Sequence, residues 1–160
     1  MSILPTRRSA LILLSALVFP SVAFSQTGGR PQIKIYKDPS CSCCGNWARH
    51  MRSAGFETVV EETTDVTSRK MQLGVPDDLA SCHTALIDGY AIEGHVPAEA
   101  IKQLLADKPM AIGLAVPGMP GSAPGMEVPG VLTSADLYEV ILFGLPGRST
   151  YMRFRGSRRL

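Results

Sequence analysis

The stretch "QIKIYKDPSCSCCGNWARH", residues 32–50, decides the fold. "QIKIYK" alternates Ile33 and Ile35 against Lys34 and Tyr36, the period-two pattern of a short strand. "DPS" is a turn. A helix is expected from Gly45 to Ala54, because Trp47, Met51 and Ala54 recur at helical spacing and face a core, and Gly55 stops it. Between strand and helix stand Cys41, Cys43 and Cys44, a CxxC pair with an extra thiol inside it.

Downstream, "FETVVEE" reads as a second strand around Val59 and Val60, and Val66 to Leu73 as a short helix ended by Gly74. "TALIDGYAIEG" reads as a hairpin turning at Asp88-Gly89. Pro97 opens a helix with Ile101, Leu104 and Leu105 on one face. The order β-α-β-α-β-β-α, with CxxC between the first strand and first helix, is that of a thioredoxin-like α/β domain, here residues 32–108. From Pro109 the character changes. "PMAIGLAVPGMPGSAPGMEVPG" is rich in Pro, Gly and Met and reads as a long loop without helix or strand. Ile112, Leu114, Val116 and Val128 imply that this C-terminal extension, residues 109–147, packs on the domain. "LYEVILF" and "STYMRFR" then suggest a terminal strand pair around Gly144 to Arg148.

At the other end, Arg7 and Arg8 precede an apolar run from Ala10 to Phe19, and small residues offer cleavage after Ala23 or Ser25. Residues 1–25 therefore read as a secretory signal peptide and 26–31 as a disordered leader. The run falls short of the roughly 20 residues that span a bilayer. "TRRSALIL" leaves twin-arginine export open beside the ordinary route. A periplasmic monomer without stable membrane insertion is expected. The two signal arginines account for the whole formal charge of +2, so the rest of the chain is neutral. Arg148, Arg153, Arg155, Arg158 and Arg159 crowd residues 148–160 without one acid. In an exported protein such a basic tail is solvated, and no nucleic-acid partner is expected.

Export gives the cysteines their meaning. In an oxidising compartment an even count usually signals structural disulfides. Here Cys43 and Cys44 are adjacent and pair poorly, and a Cys41–Cys44 bridge closes too small a loop to restrict the unfolded chain much. Three thiols on one turn point to chemistry. A thiolate at a helix N-terminus is favoured by the dipole and by free N–H groups, which suits both disulfide exchange and metal ligation.

Two features favour metal. Exchange needs an attacking and a resolving cysteine, Cys41 and Cys44, and a third neighbour promotes wrong pairings. "SCHTA" then places Cys82 and His83 where thioredoxin-like oxidoreductases carry a cis-proline, facing the CxxC. Cysteine with histidine is a soft donor set for Cu(I) or Zn(II). Alone, His83 reads as a core histidine with both nitrogens satisfied; beside Cys82 it reads as a ligand or a neighbour of one. His95 in "EGHVP" reads first as a turn stabiliser and His50 as a surface histidine. Met119 and Met126 either plug apolar gaps or lid a copper site, since thioethers favour Cu(I).

"CSCCGNW", "SCHTA", "EGHVP" and "GLAVPGMPGSAPGME", in this order from about Ile33 to Phe143, together resemble the periplasmic copper-resistance family CopG. That resemblance implies a thioredoxin-like domain whose C-terminal extension contributes to copper binding. It further implies copper tolerance through interconversion of Cu(I) and Cu(II), beside efflux or chaperone proteins. By motif, Cys41, Cys43, Cys44 and Cys82 become copper thiolates and His83 a neighbour or ligand, and Met119 and Met126 belong to the extension. The arginine-rich end departs from the pattern. The alternative is a thiol–disulfide oxidoreductase acting on proteins through Cys41 and Cys44. A closed structural zinc site is a third.

Overall fold

The computed structural model describes residues 29–126 and 137–160. The expected signal peptide and Val128 lie outside them. Strand β1 (Gln32–Lys37) leads into helix α1 (Ser42–Ser53), strand β2 (Glu57–Glu62) and helix α2 (Val66–Gln72). After a 3₁₀ turn at Asp77–Leu79 come the hairpin β3 (His83–Ile87) and β4 (Tyr90–Glu93) and helix α3 (Ala98–Asp107). Strands β5 (Gly113–Ala115), β6 (Leu137–Gly144), β7 (Gly147–Arg155) and β8 (Arg158–Arg159) complete the chain.

The strands form one sheet in the order β2-β1-β3-β4-β5-β6-β7-β8. β1 and β2 are parallel, as a helical crossover through α1 requires, and β3 runs antiparallel between β1 and β4. Asp88 (φ 47°) and Gly89 (φ 84°) both adopt the left-handed conformation that a two-residue hairpin turn demands. These four strands with α1 and α3 are the thioredoxin-like α/β fold.

Helix α1 buries Cys44, Trp47, Ala48 and Met51, spaced i, i+3, i+4 and i+7, so one stripe meets the sheet. Ile33, Ile35, Ile101, Leu104, Leu114 and Phe154 join that core. On β4, Ile92 faces this main core, while Ala91 faces a smaller cluster with Val75, Leu79, Ala115 and Phe143. The sheet therefore packs on both faces. The indole of Trp47 donates from Nε1 to the Val96 carbonyl at 2.9 Å, so burying it leaves no orphan donor.

Three expectations change. Helix α1 starts at Ser42, so Cys43 and Cys44 lie inside its first turn and Cys41 is the N-cap residue. The Pro/Gly-rich segment holds strand β5, parallel to β4 and antiparallel to β6, so the extension continues the same sheet. Residues 148–160, set apart as a basic tail, lie along β7 and β8, where Arg148 pairs with Asp78 and Arg153 with Glu139. Val59 and Val60 on the edge strand β2 stay about two-fifths exposed, at 41% and 40%. No helix among the described residues is long and apolar enough to cross a membrane.

Candidate metal centre

The site grows from the β1–α1 turn. The Asp38 carboxylate accepts from the backbone N–H and the hydroxyl of Ser40, which also hold that carboxyl below its ordinary range. The Asp38 carbonyl accepts from Cys41 N–H at 3.0 Å. That tight turn delivers Cys41 to the mouth of α1, whose first turn carries no acidic residue. Cys43 and Cys44 follow on the helix. Cys41 and Cys44 are joined as a disulfide, with Cα atoms 5.5 Å apart, and Cys43 and Cys82 are free thiols. A bridge this short closes almost no loop, so it adds little as a staple. Cys43 Sγ lies 3.5 Å from Cys41 Sγ.

Cys82 faces this turn from the segment before β3. The sulfur atoms of Cys41, Cys43, Cys44 and Cys82 all lie within 4.8 Å of one another. A second group shares Cys82: donor atoms of Cys82, His83 and His95 also fall within 4.8 Å of one another. Cys82 is thus the hinge between a sulfur set and an imidazole set. Its sulfur is 3.3 Å from His83 Nδ1 and 3.1 Å from His95 Nε2. Burial, with the charge of Cys43 added, pushes the Cys82 thiol up to about 12 in the absence of metal.

The protons of the two imidazoles follow from their partners. His95 Nδ1 sits 2.8 Å from the Pro124 carbonyl, which can only accept, so Nδ1 carries a proton and Nε2 is the nitrogen turned toward Cys82. That is the orientation by a backbone carbonyl that metal-binding histidines use. His83 is fully buried, 4.6 Å from the Trp47 ring and 5.0 Å from the His95 ring between centroids. Burial, then His95 and Lys70, holds its pKa well below the usual value, so it is neutral. Its Nε2 has no hydrogen-bond partner. A neutral imidazole whose Nδ1 stands against the Cys82 sulfur fits the donor set of a soft metal ion.

A buried ion pair backs the hinge. Glu93 on β4 is fully buried, and its Oε1 accepts from Ser81 N–H at 2.6 Å and from the Lys70 ammonium. Burial raises the Glu93 carboxyl, with Lys70 opposing. Gly94 (φ 69°) permits this closeness: a Cβ there would stand 2.7 Å from Ser81 Oγ and from the Val116 carbonyl.

The Met-rich loop straps the site. Ser81 Oγ donates to the Gly118 carbonyl, Asn46 Nδ2 donates to the Gly125 carbonyl, and Pro124 holds His95. Gly125 (φ 87°) lies so close that a Cβ would be 2.6 Å from Trp47 N. Of the expected site residues, the structure brings Cys41, Cys43, Cys44 and Cys82 together and sets His83 against Cys82. Met119 lies on the same loop next to Gly118, 58% exposed, and Met126 packs half-buried against the core. His95, read from sequence as a turn stabiliser, stands in the cluster instead. His50 is not a plain surface residue: its Nε2 accepts from Ala98 N–H at 3.4 Å and ties α1 to the start of α3.

Comparison with known proteins adds the following. A family model described as "Protein of unknown function, DUF411" matches residues 79–126, which include Cys82, His83, His95 and the strap. Two solved structures of copper resistance protein CopG superpose on the chain. Form 2 is 36% identical with a TM-score of 0.72, covering 78% of this chain and 98% of its own. Form 1 is 38% identical with a TM-score of 0.70, covering 79% and 100%. No curated protein matches.

Proposed function

This chain belongs to the CopG copper-resistance family, and from that premise we propose that it binds copper in the periplasm through its cysteine cluster and interconverts Cu(I) and Cu(II) there. Copper is the cargo and the substrate. The observation that carries this is the convergence of four sulfurs within 4.8 Å on a thioredoxin-like frame, with two imidazoles against one of them.

The roles follow from donor chemistry. Thiolates select Cu(I), and imidazoles accept copper in either state. With Cys41 and Cys44 reduced, the cluster offers four thiolates and up to four negative charges, more than one Cu(I) neutralises. With that bridge closed, two of the soft donors are withdrawn, so Cys41 and Cys44 couple thiol redox state to Cu(I) affinity. Cys43 and Cys82 remain as thiol donors, and His83 and His95 supply nitrogen. Met119 and Met126 add thioethers from the strap. The protein works as a monomer and exchanges copper with efflux or chaperone proteins.

Anaerobic purification with copper, followed by metal analysis, tests this. At least one tightly held copper per chain is expected. Less than one, with zinc retained instead, refutes it.

The Cys41–Cys44 disulfide at the CxxC position supports a second reading, a thiol–disulfide oxidoreductase for proteins. Cys82→Ser separates the two. It should lower copper affinity at least tenfold on the copper reading, and leave insulin reduction by Cys41 and Cys44 untouched on the other.

A further inference from the structure

With Cys41 and Cys44 joined, Cys43 and Cys82 are the two thiols left. They come from different elements, the first turn of α1 and the segment before β3, yet their sulfurs lie within 4.8 Å. Both side chains are half-buried and reachable from solvent. A disulfide bond is about 2.05 Å long, so rotation about the two Cα–Cβ bonds must close the gap.

We propose that Cys43 and Cys82 form a second redox pair, which gives two electrons to Cu(II) while the Cys41–Cys44 bridge is in place. The inference rests on the copper reading above, and the two thiols are the electron source. Two Cu(II) ions each take one electron. Two S–H bonds break, one S–S bond forms, and two protons leave to water. The products are a Cys43–Cys82 disulfide and two Cu(I) ions. Cys82 is placed for this because it stands between donor types: imidazole nitrogens at 3.3 and 3.1 Å on one side and sulfurs on the other. Nitrogen suits the arriving Cu(II), and the two thiols supply its electrons. The third cysteine of the CxCC motif then has a partner of its own. Closing this pair also consumes the last thiolates, so the Cu(I) it makes is released.

The test starts from the full chain, mildly oxidised until peptide mapping shows only the Cys41–Cys44 bridge. Two equivalents of Cu(II) are added without oxygen. A colorimetric chelator reads Cu(I), alkylation mass reads thiols, and non-reducing peptide mapping reads bridges. Expected are two Cu(I) per chain, no remaining thiol, a Cys43–Cys82 peptide and a monomeric chain. Cys43→Ser and Cys82→Ser should each give at most one Cu(I) and produce linked dimers, with Trp47 fluorescence confirming that they fold. Copper bound with both thiols intact and no Cu(I) formed overturns the proposal, as does a bridge between other partners. Failure of the fully reduced chain to bind copper overturns the copper reading instead. A parallel arm with diamide needs no copper, and absence of the Cys43–Cys82 bridge there also overturns the proposal.

Discussion

Replacing Glu93 with alanine should unseat both the fold and the site. The carboxylate is fully buried, and its partner Lys70 has a side chain only 12% exposed. Removing one member of a buried pair strands the other charge, at a cost of about 3–5 kcal/mol. Ser81 N–H also loses its acceptor, but the two losses overlap, so about 4 kcal/mol is the combined expectation. Against a total stability of about 5–15 kcal/mol this is large. At an unfolding entropy of about 2.1 cal/mol/K per residue over about 130 residues, it lowers the melting temperature by about 15 °C. Trp47, the single tryptophan and fully buried, reports unfolding by fluorescence. The charge-free pair Glu93→Gln with Lys70→Met should recover most of the loss, because no ion is then left unpaired. Glu93→Gln alone strands Lys70 yet keeps an acceptor for Ser81, so it should retain copper stoichiometry better than Glu93→Ala. A loss under 1 kcal/mol in Glu93→Ala, or a double variant no better than the single one, would refute the role given to this pair.

Three further outcomes are expected. Because His83 is held neutral in the fold but titrates near 6.5 when unfolded, the stability it contributes is present above pH 6.5 and lost as pH falls. The slope is at most about 1.4 kcal/mol per pH unit below that point; urea unfolding of the copper-free protein should show the fall, and His83→Gln should flatten it. Gly45→Ala should raise the urea midpoint, since a Cβ there meets nothing within 4 Å and alanine favours the helix by about 0.5–1 kcal/mol; an unchanged or lower midpoint contradicts this. Gly125→Ala should cost at least about 1–2 kcal/mol from its left-handed backbone alone. It should also weaken copper binding by pushing the strap off His95, so unchanged affinity would show that the strap does not hold that residue.

The thioredoxin-like half was legible because its signals are local. Ile33 and Ile35 alternate within one strand, Trp47 and Met51 are one helical turn apart, and Asp88-Gly89 encodes its own turn. Strand β5 was not legible. Three residues, Gly113–Ala115, are too few to show a period, and what makes them a strand is pairing with β4 and β6. Gly113 serves that pairing, since a Cβ there would collide with the Ala91 carbonyl. His95 was hidden for a similar reason. Its orienting partner Pro124 lies 29 residues away, across a loop whose path no propensity predicts. The cysteines and His83 were visible because the CxxC position implies what faces it. The strand in "STYMRFR" was legible, and Met152 and Phe154 on it are buried, but its arginines also set residues 148–160 apart as a tail.

The unbroken sheet has a consequence for any attempt to borrow this site. Its outer margins are β2 and β8. Cutting after Lys108 would make β4 a margin, baring the Ala91 N–H that now donates to Ile112 and the Glu93 carbonyl that now accepts from Val116. A raw apolar margin of that kind recruits other chains. A transplanted cysteine frame without its annex would therefore precipitate before it could be tested for copper. The heritable unit is the frame and annex together, and grafts or chimeras should respect that seam.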